Sequence, residues 1–205
     1  MNRKTIQLLL WPVIIILAWL VYRRPISLKE FQEESNYRKS AVIQDLKDIR
    51  TAQIAFKDKY RVYANDFNSL LSFVKNDSLT VVKAVGETPD SLTEDQALKK
   101  GIISRDTIFV PVFQTIFNTD YLANRDNRFP FDLDMLSKVP FSNETYNIES
   151  GYIEKGKVIV QVFEVSTTFG TFLNGLEATN KGIDLNKFIK VGSMSDASIN
   201  GNWGE

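Results

Sequence analysis

Residues 41–63 read AVIQDLKDIRTAQIAFKDKYRVY. Apolar and aromatic side chains recur at Val42, Leu46, Ile49, Phe56, Tyr60 and Tyr63, spaced 4, 3, 7, 4 and 3 residues apart, with Gln53 in the remaining heptad position. This spacing returns every few residues to the same side of an α-helix, so the stretch predicts an amphipathic helix with those six residues as its packing face. Fewer than four heptads are sustained, which favours packing on the protein's own sheet over an intermolecular coiled coil.

Upstream the pattern changes. Ile6 to Tyr22 reads IQLLLWPVIIILAWLVY, 17 residues with Gln7 as the one polar side chain. It is apolar on all sides, unlike a surface helix. At about 1.5 Å per residue, about 17–20 such residues cross the hydrocarbon of a bilayer. Ile6, Leu10, Trp11, Ile15, Trp19 and Tyr22 are the candidate anchor residues, and Trp19 and Tyr22 stand where an interfacial aromatic belt belongs. Pro12, near the start of the run, is tolerable in such a helix. Arg3 and Lys4 precede the run as in a signal peptide, but no small-x-small cleavage site follows, and the run closes on Val-Tyr-Arg-Arg-Pro. The chain has no cysteine for lipidation. The segment therefore reads as an uncleaved single-pass anchor with the lipid bilayer as its partner. Arg3 and Lys4 on one side are balanced by Arg23, Arg24 and Lys29 on the other, so the distribution of cations does not orient it.

Composition narrows the function classes. Hydrophobic residues make up 43% and charged residues 24% of 205, which suits a globular domain rather than a disordered chain. Lys+Arg and Asp+Glu are both 25, so no basic excess points to nucleic acid. The absence of histidine removes the commonest general base and zinc ligand, and the absence of cysteine removes thiol chemistry and disulfides. Aromatic residues, at 12%, suit a β-rich core.

Along the rest of the chain, Pro25 followed by Ser27-Leu28-Lys29-Glu30 looks like a fresh helix start with a capping box. Asn65-Asp66 ends the amphipathic helix and caps a second one, Phe67 to Lys75, with Leu70, Leu71 and Val74 inward. A strand is expected over Leu79 to Val85. Thr93 to Lys100 is a small helix capped by Thr93 and closed by Gly101. Thr107 to Phe113 reads as an edge strand because of Pro111. Tyr121 to Asp134 is polar and irregular. Tyr146–Ile153 and Lys157–Val165 alternate as a hairpin turning at Glu154-Lys155-Gly156. The tail after Val191 is either frayed or pinned to the sheet by Trp203. The expected class is α+β: an anchor (1–24), a helical stalk (25–40) and a soluble domain (41–205) in which the long helix packs on a mostly antiparallel sheet with small helices.

An apolar N-terminal span, a long amphipathic helix and a C-terminal sheet together resemble type IV pilins and pseudopilins. The local similarity lies in Asp45-Leu46-Lys47-Asp48-Ile49-Arg50-Thr51-Ala52-Gln53, Phe56-Lys57-Asp58-Lys59-Tyr60 and Tyr63-Ala64-Asn65, and covers about Ala41 to Lys75. The chain departs from that pattern where a prepilin is processed: no Gly precedes the span, and the span holds no Glu. The resemblance therefore implies a pilin-like architecture in a fixed single-pass protein, not a processed pilus subunit. Asp77-Ser78-Leu79, Asp90-Ser91-Leu92 and Asp106-Thr107-Ile108 resemble the Asp-Ser/Thr-aliphatic O-glycosylation signal of Bacteroidota, which makes Ser78, Ser91 and Thr107 candidate acceptors. The chain as a whole resembles uncharacterised single-pass envelope proteins of that phylum. Use of these signals would put the domain outside the cytoplasm, with the N-terminus inside.

Chemistry-bearing motifs are sparse. Asp132-Leu133-Asp134 is the one candidate for a hard-cation site, and a solvated loop is the simpler explanation of so common a pattern. Gly170 and Gly175 are isolated, without the Lys-Ser/Thr of a phosphate loop. No catalytic residue, cofactor site or small-molecule substrate is expected. The resulting expectation is a non-enzymatic, periplasm-facing interaction or scaffold subunit of a bacterial envelope assembly, anchored in the inner membrane beside other envelope membrane proteins. The alternatives are a carboxylate- and metal-dependent envelope hydrolase or transferase, and a regulatory subunit of a cytoplasmic-membrane complex.

Overall fold

Helix α1 runs without interruption from Arg3 to Tyr60, 58 residues, a length of about 87 Å at ~1.5 Å per residue. The computed structural model describes residues 3–86, 93–176 and 182–204, with side chains described outside 3–10, 20–27, 83–84 and 94. The fresh helix start expected at Ser27 is corrected: the backbone is helical through Pro25, Ser27 and Glu30. A proline removes one i→i−4 hydrogen bond, and the turns on either side carry the helix across it. Trp11, Val13, Ile14, Ile15, Ile16, Leu17 and Trp19 are all 45–65% exposed, so the described part of the domain does not bury this stretch. Of the expected anchor residues, the side chains of Ile6, Leu10 and Tyr22 lie outside the described residues. Among the described residues no helix is long and apolar enough to cross a membrane.

Burial begins at Phe31 and becomes dense from Ala41. Val42, Leu46 and Ile49 are fully buried, so the predicted face packs on the protein itself. Its far end departs from the pattern. Phe56 is half-buried and Tyr60 is 46% exposed. Tyr63 is buried but lies beyond the helix, on the chain reversal that follows it. Gln53, the polar residue in the stripe, is wholly buried: its amide donates to the Ala64 carbonyl (2.9 Å) and its carbonyl accepts from the Ala64 N–H (3.0 Å). Gln161 accepts from the Tyr63 N–H (3.0 Å) and Ser150 donates to the Tyr63 carbonyl (3.3 Å). The reversal thus has its backbone groups satisfied by side chains from the helix and from the sheet.

Helix α2 (Phe67–Asn76) is N-capped by Asp66 as expected, and buries Leu70, Phe73 and Val74, with Leu71 half-buried. The expectation of one sheet is corrected to two. Strands β1 (Ser78–Val85) and β2 (Ser104–Pro111) form an antiparallel ribbon, from Ser78 opposite Pro111 to Val85 opposite Ser104. It carries exposed Val82, Val85 and Phe109. Between them lies α3 (Glu94–Lys99), where the Thr93 N–H donates to Gln96 (3.2 Å) and Gly101 follows at φ +69°. β2 stops at Pro111, because Val112–Ile116 coils into α4, so Phe113 is helical rather than extended. Helix α5 (Thr119–Ala123) opens the segment expected to be irregular.

The second sheet has the order β3 (Asn147–Lys155), β4 (Val158–Thr168), β5 (Phe188–Gly192), all antiparallel. Lys155 pairs with Val158, so the hairpin turns at Gly156-Lys157, and Glu154 and Lys155, expected in the turn, extend β3, with Gly156 at φ +68° as such a tight turn requires. Helix α6 (Phe169–Phe172) follows β4. The tail is pinned: Gly201 bridges Val191, Asn202 exchanges hydrogen bonds with Lys190 (3.0 and 3.1 Å), and Trp203 packs against the core. Leu70, Phe73, Val112, Phe117, Phe163, Val165, Phe172 and Val191, drawn from both halves of the domain, join the core built on α1.

Gly192 sits at φ +75°, and a Cβ there would overlap the Phe163 carbonyl on the neighbouring strand. Gly192→Ala is expected to destabilise the domain by about 2–4 kcal/mol, since backbone strain and steric overlap act together. Urea unfolding of the full chain in detergent measures it, and an unchanged midpoint would contradict this account of the β4–β5 register.

Candidate functional site

Asp48, wholly buried on α1, is the most enclosed charge described. Arg125 reaches it with one edge of its guanidinium, Nε to Oδ1 and Oδ2 at 3.2 and 3.1 Å and Nη2 to Oδ2 at 2.6 Å. The Tyr121 hydroxyl donates to Oδ1 (2.8 Å), and the Gln44 amide donates to the same oxygen (3.1 Å). Thr51 donates in turn to the Tyr121 oxygen (3.2 Å), and Arg125 Nη1 donates to the Phe129 carbonyl (2.7 Å). The carboxylate is therefore paired and hydrogen-bonded on every side, the condition under which a buried charge is tolerable.

Local chemistry sets this up. Asn118 caps α5 by accepting from the Tyr121 N–H (2.8 Å), which starts the turn that carries Tyr121 and, four residues on, Arg125 towards α1. Burial and the Asp48 charge raise the Tyr121 hydroxyl well above the ordinary tyrosine range, so it stays a proton donor to Asp48.

One turn earlier on α1, Asp45 is treated differently. It makes no ion pair among the described residues, because Arg125 is committed to Asp48. Burial, and then repulsion from Asp48, push its carboxyl up from 3.8 to about 7, with Arg125 and Tyr146 opposing. The Tyr146 hydroxyl is buried and faces Asp45 without meeting normal hydrogen-bond geometry with any group. Burial and the nearby Asp45 carboxylate raise it well above the ordinary range.

Asp45 lies at the inner side of a cleft of about 320 Å³ between α1 and the segment 128–142. Tyr37, Phe129 and Phe141 form an aromatic wall, with ring centroids 5.1 Å apart for Tyr37–Phe129 and 5.9 Å for Tyr37–Phe141. Met135, Leu136 and Val139 continue the apolar lining. Arg128, Asp132 and Lys138 also line it, with Arg128 held by Asp126 (2.5 Å). A mostly apolar cleft with one perturbed carboxyl is the usual form of a binding site.

Asp132 and Asp134 are not brought together with further ligands. Asp132 accepts from the Asp134 N–H (2.9 Å), closing a turn, and Asp134 is ion-paired with Lys75. Among the described residues no group of three or more carboxylates, histidines or cysteines converges on a metal position. Of the candidate acceptors, Thr107 is exposed on β2, Ser78 is half-buried at the start of β1, and Ser91 lies outside the described residues. Asp77 of the first motif bonds Lys59 and Tyr60 at the end of α1. Asp45, Asp48, Tyr121, Arg125 and Tyr146 were not anticipated as a site. The available signal was Asp45, which at about 100° per residue falls between Ile49 and Ala52 on the buried side of α1.

Searched against protein-family models, curated proteins and solved structures, the chain matches none of them.

Two substitutions separate the roles of the carboxylates. Arg125→Ala leaves Asp48 buried and unpaired, and is expected to cost about 3–5 kcal/mol in urea unfolding. Asp45→Asn acts in the opposite sense. Below pH 4 the carboxyl is protonated in both folded and unfolded chains. Between pH 4 and 7 the unfolded chain ionises while the folded one resists, so the wild type loses stability across that window. The variant escapes this loss, and is expected to exceed the wild type by roughly 2–4 kcal/mol at pH 8 with little difference at pH 4. A constant difference from pH 4 to 8 would refute the assignment.

Proposed function

We propose that this protein is a non-enzymatic interaction subunit of a bacterial envelope assembly, anchored by the N-terminal part of α1 with its domain on the periplasmic side. The carrying observation is the stretch Trp11–Trp19, where tryptophans and branched aliphatics are exposed together on a helix that continues into the domain core. Successive residues around a helix point to all sides, so no single docking face on a folded partner covers them, whereas lipid does. A rigid connection of this kind holds the domain at a set distance from the bilayer. The two-stranded ribbon supports the interaction reading: Val82, Val85 and Phe109 are exposed on strands whose outer edges have no neighbour among the described residues. Isolated hairpins are marginal in water, and exposed apolar patches mark contact surfaces. The pilin-like order of elements and the Asp-Ser/Thr signals at Ser78 and Thr107 favour an N-in, C-out orientation.

The full chain is expected to stay with membranes through high salt and alkaline carbonate and to be released by detergent, while a chain lacking residues 1–24 is released without it. Protease added to spheroplasts is expected to digest the domain. Release of the full chain by carbonate would remove the anchor, and protection of the domain in spheroplasts would reverse the orientation.

A further inference from the structure

Around Asp45 the carboxylates of α1 outnumber the cation that reaches them, while the rest of the cleft lining, Arg128, Asp132 and Lys138, carries both signs. Two carboxylates, Asp45 and Asp48, face one guanidinium, and Arg125 spends its Nε and Nη2 on Asp48 and its Nη1 on the Phe129 carbonyl. Behind Asp45 the Tyr146 hydroxyl, 3% exposed, is directed at that carboxyl in a contact looser than an ordinary hydrogen bond and meets no other partner. A loose contact of this kind tightens when the carboxyl it faces carries a full charge.

The cleft's walls specify the kind of group that favours this charge. Tyr37, Phe129 and Phe141 present π-faces, and two of them already attract cations: the Arg38 guanidinium lies 4.9 Å from the Phe141 centroid, and that of Arg128, itself a lining residue, 5.2 Å from the Phe129 centroid. A cation approaching Asp45 passes an aromatic wall and meets a carboxylate with no ion-pair partner, the combination by which proteins recognise ammonium groups. An anion would meet that same carboxylate with Arg128 occupied by Asp126, leaving Lys138 as the one lining cation without an ion pair among the described residues. At about 320 Å³ the cleft suits a small amine or a single side chain rather than a chain segment.

We infer that the cleft between α1 and residues 128–142 is a binding site for a primary ammonium group on an apolar stem, with Asp45 as its counter-ion and Tyr37, Phe129 and Phe141 as its walls. Bound there, the cation holds Asp45 ionised, and the Tyr146 hydroxyl gains a charged acceptor in place of a neutral one. The site stands independently of the anchor and of the proposed orientation. Two sources supply the same chemistry, a free amine and a lysine side chain of a partner.

The test titrates the full chain in detergent with benzylamine, with N-acetyl-lysine methylamide and with benzyl alcohol, following the amide signals of Ala41 and Leu136 by NMR. Either amine is expected to bind, and the tighter of the two identifies the source. Affinity is expected to fall about tenfold or more between pH 8 and pH 5.5, as protons compete at Asp45, and by a similar factor in Asp45→Asn. Phe141→Ala, at an exposed position that leaves the core intact, is expected to weaken binding several-fold. Benzyl alcohol binding as well as benzylamine, or amine binding that persists unchanged in Asp45→Asn, overturns the proposal. So does the absence of any shift with either amine up to about 10 mM, a concentration at which even fragment-strength binding registers.

Discussion

The buried half of α1 carries two polar side chains with no exit to water, Asp48 and Gln53, and the domain is arranged to satisfy them. Gln53 requires the chain to return across it at Ala64, which fixes the reversal after the helix. Asp48 requires a cation, and Arg125 arrives from the segment after α5 to provide it. An unpaired carboxylate at that depth is costly enough to unfold a marginal domain, so the path of residues 118–129 follows from one position on the helix. The aromatic cluster of Phe113, Phe117, Tyr121 and Phe131 then closes over the pair, with centroid separations of 4.5–6.0 Å.

Asp45 shows the other outcome of the same constraint. It lies on the same side of the helix, one turn away, yet among the described residues no second cation pairs with it. The difference separates a structural carboxylate from one left available at a cleft. A fully satisfied network holds one conformation, whereas an incomplete one responds to protons or to a ligand, because each changes the charge that the interior must accommodate.

The long helix also ties location to fold. Its described N-terminal side chains are apolar and exposed, while its C-terminal half is the core of the domain. A continuous helix transmits orientation without a hinge, so whatever surrounds Trp11–Trp19 sets the direction in which the ribbon, the cleft and the candidate acceptor Thr107 face. The Asp77 contacts to Lys59 and Tyr60 lock the foot of the ribbon onto the end of that helix.

Sequence by itself determined the α+β class, the packing stripe at Val42, Leu46 and Ile49, the Asp66 cap, the small helix after Thr93 and the β3–β4 hairpin. These rest on periodicity and capping, which act over a few residues and are written in neighbouring positions. It did not determine that Pro25 leaves the helix unbroken, that the strands divide into two sheets, or that Phe113 coils into α4, because each depends on what packs alongside. The candidate site was the least legible part. Asp45, Asp48, Tyr121, Arg125 and Tyr146 span about a hundred positions, and nothing in a linear pattern shows that they meet. Only the tertiary structure decided that one aspartate receives the arginine and the other does not, since in a closely packed interior a single guanidinium has room to pair with one of them.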